Sequence, residues 1–141
     1  MQIQWDSVRQ LINTRSDIWI LVPSGVAINR LLDRRQQLKY GEKLEAFFGL
    51  SIEEIKNIFY RDKKEDTLFG SVEDVQKITD PISKIMEIYI RQLKTIWRYV
   101  TESPLILKNS KNNSIFHFLF ASNNKTALKI ASEIVEKEQK L

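Results

Sequence analysis

The chain has 141 residues, a formal net charge of +4 and no cysteine. A chain of this length corresponds to one domain and buries roughly 68% of its unfolded surface, enough for a hydrophobic core. The lack of cysteine excludes disulfides, cysteine-ligated zinc and a cysteine nucleophile, and it suits the reducing cytoplasm, which is the localisation that we predict.

The sequence predicts neither a secretion signal nor a membrane span. The residues after Met1 contain no basic segment followed by an apolar one, and no apolar run approaches the roughly 20 residues that cross a bilayer. Basic and acidic residues alternate over most of the chain, which favours an ordinary solvated surface. The cluster of Arg30, Arg34, Arg35 and Lys39 leaves open a second interpretation, a phosphate-contacting face for nucleic acid or for a nucleotide.

The first elements are a helix, a strand and a helix. Trp5, Val8, Leu11 and Ile12 recur at helical spacing and predict a helix over about 5–14. The apolar run at 17–22, stopped by a proline, predicts a buried strand of the kind found in parallel sheets. A turn of proline, serine and glycine follows, and helical periodicity then continues to about residue 37.

The pattern in the middle of the chain predicts mainly helices. We expect them to form a helical insertion in the fold over about 40–80. One helix covers 42–48 and ends at Gly49, and a second begins at Ser51, whose spacing to Glu54 is that of a capping box. The charged residues 61–70 predict a loop, and a short helix is expected over 71–78.

A long helix, a hairpin and a final helix close the sequence. Apolar residues keep helical spacing from 82 to 100, with Asp80 placed to cap the helix and Pro81 at its first position. Two apolar runs, 105–109 and 115–121, flank a turn rich in Asn and Ser and predict a β-hairpin. Asn123 or Asn124 caps the last helix, whose predicted apolar face is formed by Ala127, Ile130, Ala131, Ile134 and Val135.

The order of elements predicts a helix-rich α/β fold in one domain, 1–141. We expect about three strands, one of parallel type and a terminal antiparallel pair. By analogy, this is how the sheet of a class I methyltransferase ends, so the fold is predicted to be a partial, Rossmann-like C-terminal half.

Three segments resemble the three-Cys-motif partner (TcmP) family. "DIWILVPSGVAINRLL" at 17–32 is similar to the family's "D-[IL]-W-x-L-[FV]-P-x-G-x-x-[IV]-N-R-[LM]-L", and "FFGLSIEEIKNIFY" at 47–60 is similar to its "FG…W…FY", with residues near Ile55 in place of the tryptophan. The closing segment from Arg91 to Ile134, with its "FASNN", is similar to the family's C-terminal end. The likeness extends over nearly the whole chain.

The resemblance implies a methyltransferase-like protein about twice as long as this chain. Family members have a Rossmann-type fold and are named after a neighbouring gene for a protein with a three-cysteine motif. In them, a strand ending in "DP-[FY]-G" comes directly before "MQ-[VI]-x-W", which matches Met1 to Trp5. We therefore expect this chain to be the C-terminal half of such a protein, begun at an internal methionine.

S-adenosylmethionine is the cofactor implied for the full-length family, and we expect none to be bound by this chain alone. A methyl donor of this kind is held by a glycine-rich turn after a first strand. The four glycines, Gly25, Gly41, Gly49 and Gly70, include no G-x-G spacing. The cofactor site is thus expected upstream, in the other half.

A wall of a substrate cleft is the site expected in this chain. Ligands of open α/β sheets bind at the carboxyl ends of the strands, where Ser24 and Gly25 lie, and backbone N–H groups there suit an anion. Arg30 suits a bidentate phosphate contact and Asn29 a hydrogen bond. The alternative is structural, with Asn29 and Arg30 fixing the turn and pairing with an acid such as Asp17 or Asp33, and the pattern favours it.

No catalytic residue is predicted. His117 is the one histidine, it alternates with phenylalanines in a strand, and a structural role with a hydrogen-bond partner is favoured over that of a catalytic base. Ser122, Asn123 and Asn124 end the last strand, where capping is favoured over ligand binding.

Three functions follow as hypotheses. The leading one is the C-terminal portion of a TcmP-like, methyltransferase-related protein that is not catalytic alone. The second is an interaction module, because half of a sheet leaves an unpaired edge at 17–22 that a homo-oligomer or a separately made N-terminal half would cover. The third is weak nucleic-acid binding through the basic cluster.

Overall fold

A computed structural model describes residues 4–32, 40–67 and 70–139. In this part of the chain a mixed α/β fold is formed by six α-helices, a π-helical turn and six strands. In chain order they are α1 (Trp5–Arg9), β1 (Ile18–Val22), the π-helical turn (Ser24–Ile28), α2 (Asn29–Leu31), α3 (Gly41–Phe48), α4 (Ile52–Phe59), β2 (Tyr60–Thr67), β3 (Gly70–Lys77), α5 (Pro81–Leu93), β4 (Tyr99–Val100), β5 (Leu105–Lys108), β6 (Ser114–Ser122) and α6 (Lys125–Gln139).

Strand β6 is the centre of a four-stranded open sheet. It pairs antiparallel with β1 on one side, from Ile18↔Ala121 to Val22↔His117, and with β4 and β5 on the other. The strand at 17–22 and the hairpin of β5 and β6 are thus confirmed. The parallel pairing of β1 is not supported, because its partner among the described residues is antiparallel. Strands β1 and β5 run in the same direction, but β6 lies between them.

The two faces of this sheet are covered differently. Strand alternation points Ile20, Val22 and Leu119 to one face, where they join the main core formed with the helices. Phe120 points to the opposite face and lies outside that core. Helix α6 packs against β4, β5 and β6 and buries Ala131 outside the main core as well, so α6 covers the face that carries Phe120.

The exposed side chains of β1 and α6 correct two expectations. Trp19 and Leu21 on β1 are 41% and 43% exposed, so β1 is not buried on both faces as a parallel strand would be. On α6, Ala131 and Val135 are buried as predicted. Ile130 and Ile134 are 54% and 49% exposed, so the predicted apolar face is wider than the buried one.

The predicted loop and short helix over 61–78 are wrong, because β2 and β3 form an antiparallel hairpin with the register Tyr60↔Lys77 to Thr67↔Gly70. The base of the hairpin is fixed to the end of α4, where the N–H of Ile78 donates to the carbonyl of Phe59 at 2.9 Å. The insertion over 40–80 therefore contains helices followed by strands. This polar stretch has neither helical nor strand periodicity, so its local sequence gave no signal for the pairing.

Helix starts agree with their capping signals. Ser51 Oγ accepts from the N–H of Glu54 at 3.2 Å, and Asp80 Oδ1 accepts from the N–H of Ser83 at 3.3 Å. Asn124 Oδ1 accepts from the N–H of Thr126 at 2.9 Å, which identifies the cap of α6. These contacts satisfy N–H groups that have no partner inside a helix.

The C-terminal ends of the helices differ from the prediction more than their starts do. Helix α5 ends at Leu93 and not near residue 100, because the Trp97 indole N–H donates to the Ser16 carbonyl at 2.9 Å and Val100 pairs with β6. Helix α1 is shorter than predicted. The helix expected up to residue 37 begins with the π-helical turn and α2, and its remaining part, with Arg34, Arg35 and Lys39, lies outside the described residues.

Candidate functional site

The turn after β1 is built around a close approach to β6. Ile28 donates its N–H to the Pro23 carbonyl at 3.0 Å, which closes the π-helical turn. A Cβ at Gly25 would overlap the backbone carbonyl oxygen of Ser114 and stand 3.0 Å from its carbon. Glycine is needed at this position because the backbone of the turn touches that of β6, and this role is structural.

A buried serine–histidine pair lies beside this turn. Ser24 Oγ is 2.6 Å from Nδ1 of His117, and the two residues are 0% and 6% exposed. The β1–β6 register brings them together, because Val22 at the end of β1 is opposite His117. The expected structural partner of the histidine is therefore found, 93 positions away in the chain.

His117 is held as a neutral imidazole with one nitrogen left accessible. Burial lowers its pKa below the ordinary 6.5, so the ring is uncharged at pH 7. Its Nε2 makes no hydrogen bond to the described part of the chain, and it is not among the atoms fully buried without a partner. Because His117 lines a surface cavity, Nε2 is the ring atom that a ligand there can reach.

This cavity, which we call the His117 cleft, has a volume of about 640 Å³. Its first wall is the turn after β1, with Gly25, Asn29 and Arg30. Its other walls are the start of α5 and the turn between β5 and β6. The lining also includes Asp80, Ile82, Ser83, Ile106, Asn109, Asn112, Asn113, Ser114 and Ile115.

Three of the four residues predicted for a substrate or anion site line this cleft, and the fourth, Ser24, contacts it through His117. Asn29 follows the structural alternative, since its Oδ1 and its carbonyl accept from Lys77 Nζ at 2.7 and 2.9 Å. Lys77 also donates to the Leu32 carbonyl at 2.7 Å, so it holds the end of α2.

Arg30 does not follow that alternative. It is exposed, and its guanidinium has no hydrogen-bond or ion-pair partner in the described part of the chain. Asp17, an acid expected to pair with it, instead accepts from Ser122 Oγ at 2.5 Å, while Asp33 lies outside the described residues. Arg30 thus contributes to the cleft a positive charge that no ion pair within the described chain holds.

Two other polar side chains of the cleft, Asn109 and Asp80, are engaged within the protein. Asn109 Oδ1 accepts from the N–H groups of Lys111 and Asn113, both at 3.0 Å, which fixes the turn between β5 and β6. Asp80 accepts from Ser83 at the start of α5. Among the described residues, no three His, Asp or Glu side chains are grouped in a way that would hold a metal ion.

A second cavity, of about 750 Å³, continues the cleft along α5 and shares Ser83, Ile106 and His117 with it. At its far end Lys94 and Glu102 form an ion pair of 3.4 Å. His117 thus lies at the floor where the two cavities meet. Sequence reasoning missed this position because it depends on how β1, β6 and α5 assemble.

A separate apolar groove runs along the outer edge of β1. It has a volume of about 390 Å³ and is lined by α1, with Val8 and Leu11, and by Ile18–Leu21 of β1. We call it the β1 edge groove. No strand of the described chain pairs with β1 on this side. Within the sheet, Trp19 stacks on Phe118 with a centroid distance of 4.8 Å and an interplanar angle of 18°.

Compared with known protein families, curated proteins and solved structures, the chain finds no match. The resemblance to the TcmP family therefore stays a prediction. In the part of the chain that the structure describes, no helix is long and apolar enough to cross a membrane.

Proposed function

We propose that this chain is one part of a methyltransferase-related α/β protein of the kind that the TcmP resemblance implies, and that its sheet continues beyond β1. The observation that carries the proposal is the β1 edge groove. Within the described residues, no strand pairs with the outer edge of β1, and natural proteins normally cover such an edge or protect it with charge. Here the residues along it are Ile18, Trp19, Ile20 and Leu21, without a charge.

The surface next to this edge supports the same proposal. Trp19 and Leu21 lie on the sheet face that α6 covers only in part. On α6, helical geometry turns Ile130 and Ile134 away from the flank formed by Leu128 and Ser132, which lines a cavity next to β4. The exposed isoleucines therefore lie on the flank of α6 opposite to that cavity. Exposed apolar side chains on both β1 and α6 are of the kind that an interface covers.

The strand order is consistent with the proposal. The resemblance predicts a strand followed by a terminal antiparallel pair, and β1, β5 and β6 provide these elements in one sheet. In the proposed protein, the strands and glycine-rich turn that bind S-adenosylmethionine join at the β1 edge. The His117 cleft, at the carboxyl end of β1, then forms the substrate side, and this chain is not catalytic alone.

A photo-crosslinking residue at Leu21 tests the proposal in the cells that make the protein, with Tyr40 as the matched control because it is exposed at the start of α3, away from the sheet. We expect the Leu21 probe, and not the Tyr40 probe, to crosslink to a polypeptide segment that carries a strand and a glycine-rich turn. The crosslinked species should bind S-adenosylmethionine. Binding by the isolated chain with a micromolar Kd would contradict the proposal.

The same edge favours a second candidate, self-association. Two copies that pair through β1 would bury the β1 edge groove and extend the sheet without another protein. Analytical ultracentrifugation over a concentration series distinguishes this function. Self-association predicts a dimer that Leu21→Lys, a charge placed at an exposed position of the β1 edge groove, converts to monomer. Ile12→Lys, also exposed and beyond the end of α1, is the control, and a monomer at every concentration would exclude this candidate.

The nucleic-acid hypothesis receives no comparable support. Of its four basic residues, only Arg30 lies in the described part of the chain, where it lines the His117 cleft. The hypothesis stays a prediction, and a salt titration of binding tests it, since affinity through phosphate contacts falls steeply with salt.

A further inference from the structure

We propose that the His117 cleft binds a small molecule through an anionic group, which Arg30 holds by its guanidinium and His117 contacts by Nε2. Every residue of this site belongs to the described part of this chain. The inference goes beyond the proposed function and does not rest on it, because the cleft forms whether or not another strand joins β1.

The first argument concerns the charged side chains that have no ion-pair partner in the cleft and in the cavity that continues it. Glu87 pairs with Lys84 at 3.2 Å, and Glu102 pairs with Lys94 at 3.4 Å. Asp80 is the acid of the cleft itself, and its carboxylate accepts an N–H at the start of α5.

Arg30 and Arg91 have no such partner in the described part of the chain, and both line the continuous cavity. Asp80 also has no cationic partner there, so the charges without an ion pair are two positive and one negative, a net excess of one positive charge. A guanidinium presents donors in a planar fork that matches two oxygens of a carboxylate or a phosphate, so an anion is the ligand class that it selects.

The second argument is the fixed orientation of His117. Ser24 Oγ contacts Nδ1 at 2.6 Å inside the core, so the ring cannot turn without leaving a buried polar group unpaired. When the serine hydroxyl donates to Nδ1, the neutral ring carries its proton on Nε2. Nε2–H then donates to a ligand in the cleft, and a negative ligand favours this tautomer. Ser24 acts as a positioning residue.

The third argument is rigidity. One wall of the cleft is the turn held against β6 at Gly25, and another is the turn fixed by Asn109. The arginine-bearing segment is anchored by Lys77 through Asn29. A site whose walls are fixed before binding loses little entropy when a ligand enters.

The single histidine makes the test direct. In a tag-free protein labelled with ¹⁵N-histidine, the imidazole nitrogens of His117 give one set of signals that report the tautomer. Inorganic phosphate and acetate are the two probes, each titrated at an ionic strength held constant with chloride. We expect a saturable shift of the Nε2 signal. A response to phosphate alone identifies phosphate-bearing ligands, and a response to acetate extends the class to carboxylates.

A matched pair of variants distinguishes binding at this site from general effects of salt, and a third tests the serine. Arg30→Gln should weaken the binding by about tenfold or more, because charge-assisted hydrogen bonds are lost. Arg9→Gln removes the same charge at the exposed end of α1 and should leave the titration unchanged. Ser24→Ala should shift the tautomer ratio of His117 and also weaken anion binding, and a merely structural serine would not cause the second effect.

The pH dependence gives an independent readout. A bound anion raises the pKa of His117, so binding should tighten as the pH falls. The charged groups that line the cleft and the cavity beside it are Arg30, Asp80, Glu87, Arg91, Lys94 and Glu102. A titration without saturation, or an equal one in Arg30→Gln, would overturn the proposal.

Discussion

Replacing Gly25 by alanine tests how closely the turn after β1 approaches β6. The added Cβ would overlap the Ser114 carbonyl oxygen and stand 3.0 Å from the Ser114 carbonyl carbon and 3.2 Å from the Ile115 Cα. The overlap with the oxygen is the closest of these contacts, so the two backbones must separate by roughly 1–1.5 Å before the Cβ reaches an ordinary contact distance. Both sides of the contact are backbone, so no rotation of a side chain relieves it.

The expected loss in the free energy of unfolding has two parts. Overpacking of this kind costs about 1–3 kcal/mol. The same displacement moves Ser24 from His117, and their bond of 2.6 Å would lengthen beyond about 3.2 Å, outside good hydrogen-bond geometry. The weakened hydrogen bond of this buried pair costs about 1–3 kcal/mol. We therefore expect Gly25→Ala to lower the free energy of unfolding by about 2–6 kcal/mol, against a total of about 5–15 kcal/mol.

Urea unfolding followed by tryptophan fluorescence measures this change. The matched control is Gly41→Ala, since a Cβ there meets only the end of the flexible Ile52 side chain, at 3.0 Å. This control lies in α3, where alanine is the better helix former, and it should stay within about 1 kcal/mol of the original protein. The reasoning would be refuted if Gly25→Ala lost less than the control or kept the His117 imidazole signals of the parent.

Three further changes probe single groups, each measured by urea unfolding. Tyr89→Phe should leave the free energy of unfolding unchanged or raise it by about 1 kcal/mol, because the buried Tyr89 hydroxyl has no partner in the described chain; a large loss would reveal one. Ser51→Ala should lower it by about 1 kcal/mol by removing the cap of α4, whereas Ser110→Ala, in the exposed turn before β6, should not. Because burial lowers the pKa of His117, the unfolded state binds more protons just below pH 6.5. Stability should be complete above that pH and fall as the pH drops towards the folded pKa, and His117→Gln should remove this dependence.

Local signals in the sequence were sufficient to predict much of the fold. The starts of α4, α5 and α6 depend on a side chain and an N–H two or three positions away, so capping residues locate them. The strand at 17–22 and the hairpin of β5 and β6 also follow from short apolar runs and turn residues. Such contacts are close in sequence and need no knowledge of tertiary packing.

The features that the sequence did not predict depend on contacts between segments that are distant in the chain. The end of α5 is set by Trp97 and its bond to Ser16, which no helical period reveals. The partner of β1 is β6, and periodicity does not distinguish an antiparallel partner from a parallel one. For the candidate site, a strand-to-helix turn predicted Gly25 and Arg30, but the placement of His117 required the register of two strands.

The central place of β6 has a consequence for how the chain acquires its structure. Ile18 and Ala121 are paired although 121 − 18 = 103 positions separate them. Ribosomes add about 5–20 residues per second, so β1 exists for roughly 5–20 s before its partner is made. During that time the helices have short-range contacts to form, while the edge of β1 that pairs with β6 stays open and Trp19 lacks the Phe118 ring on which it stacks. The pairing of β1 with β6 is therefore a late step in the formation of the described sheet.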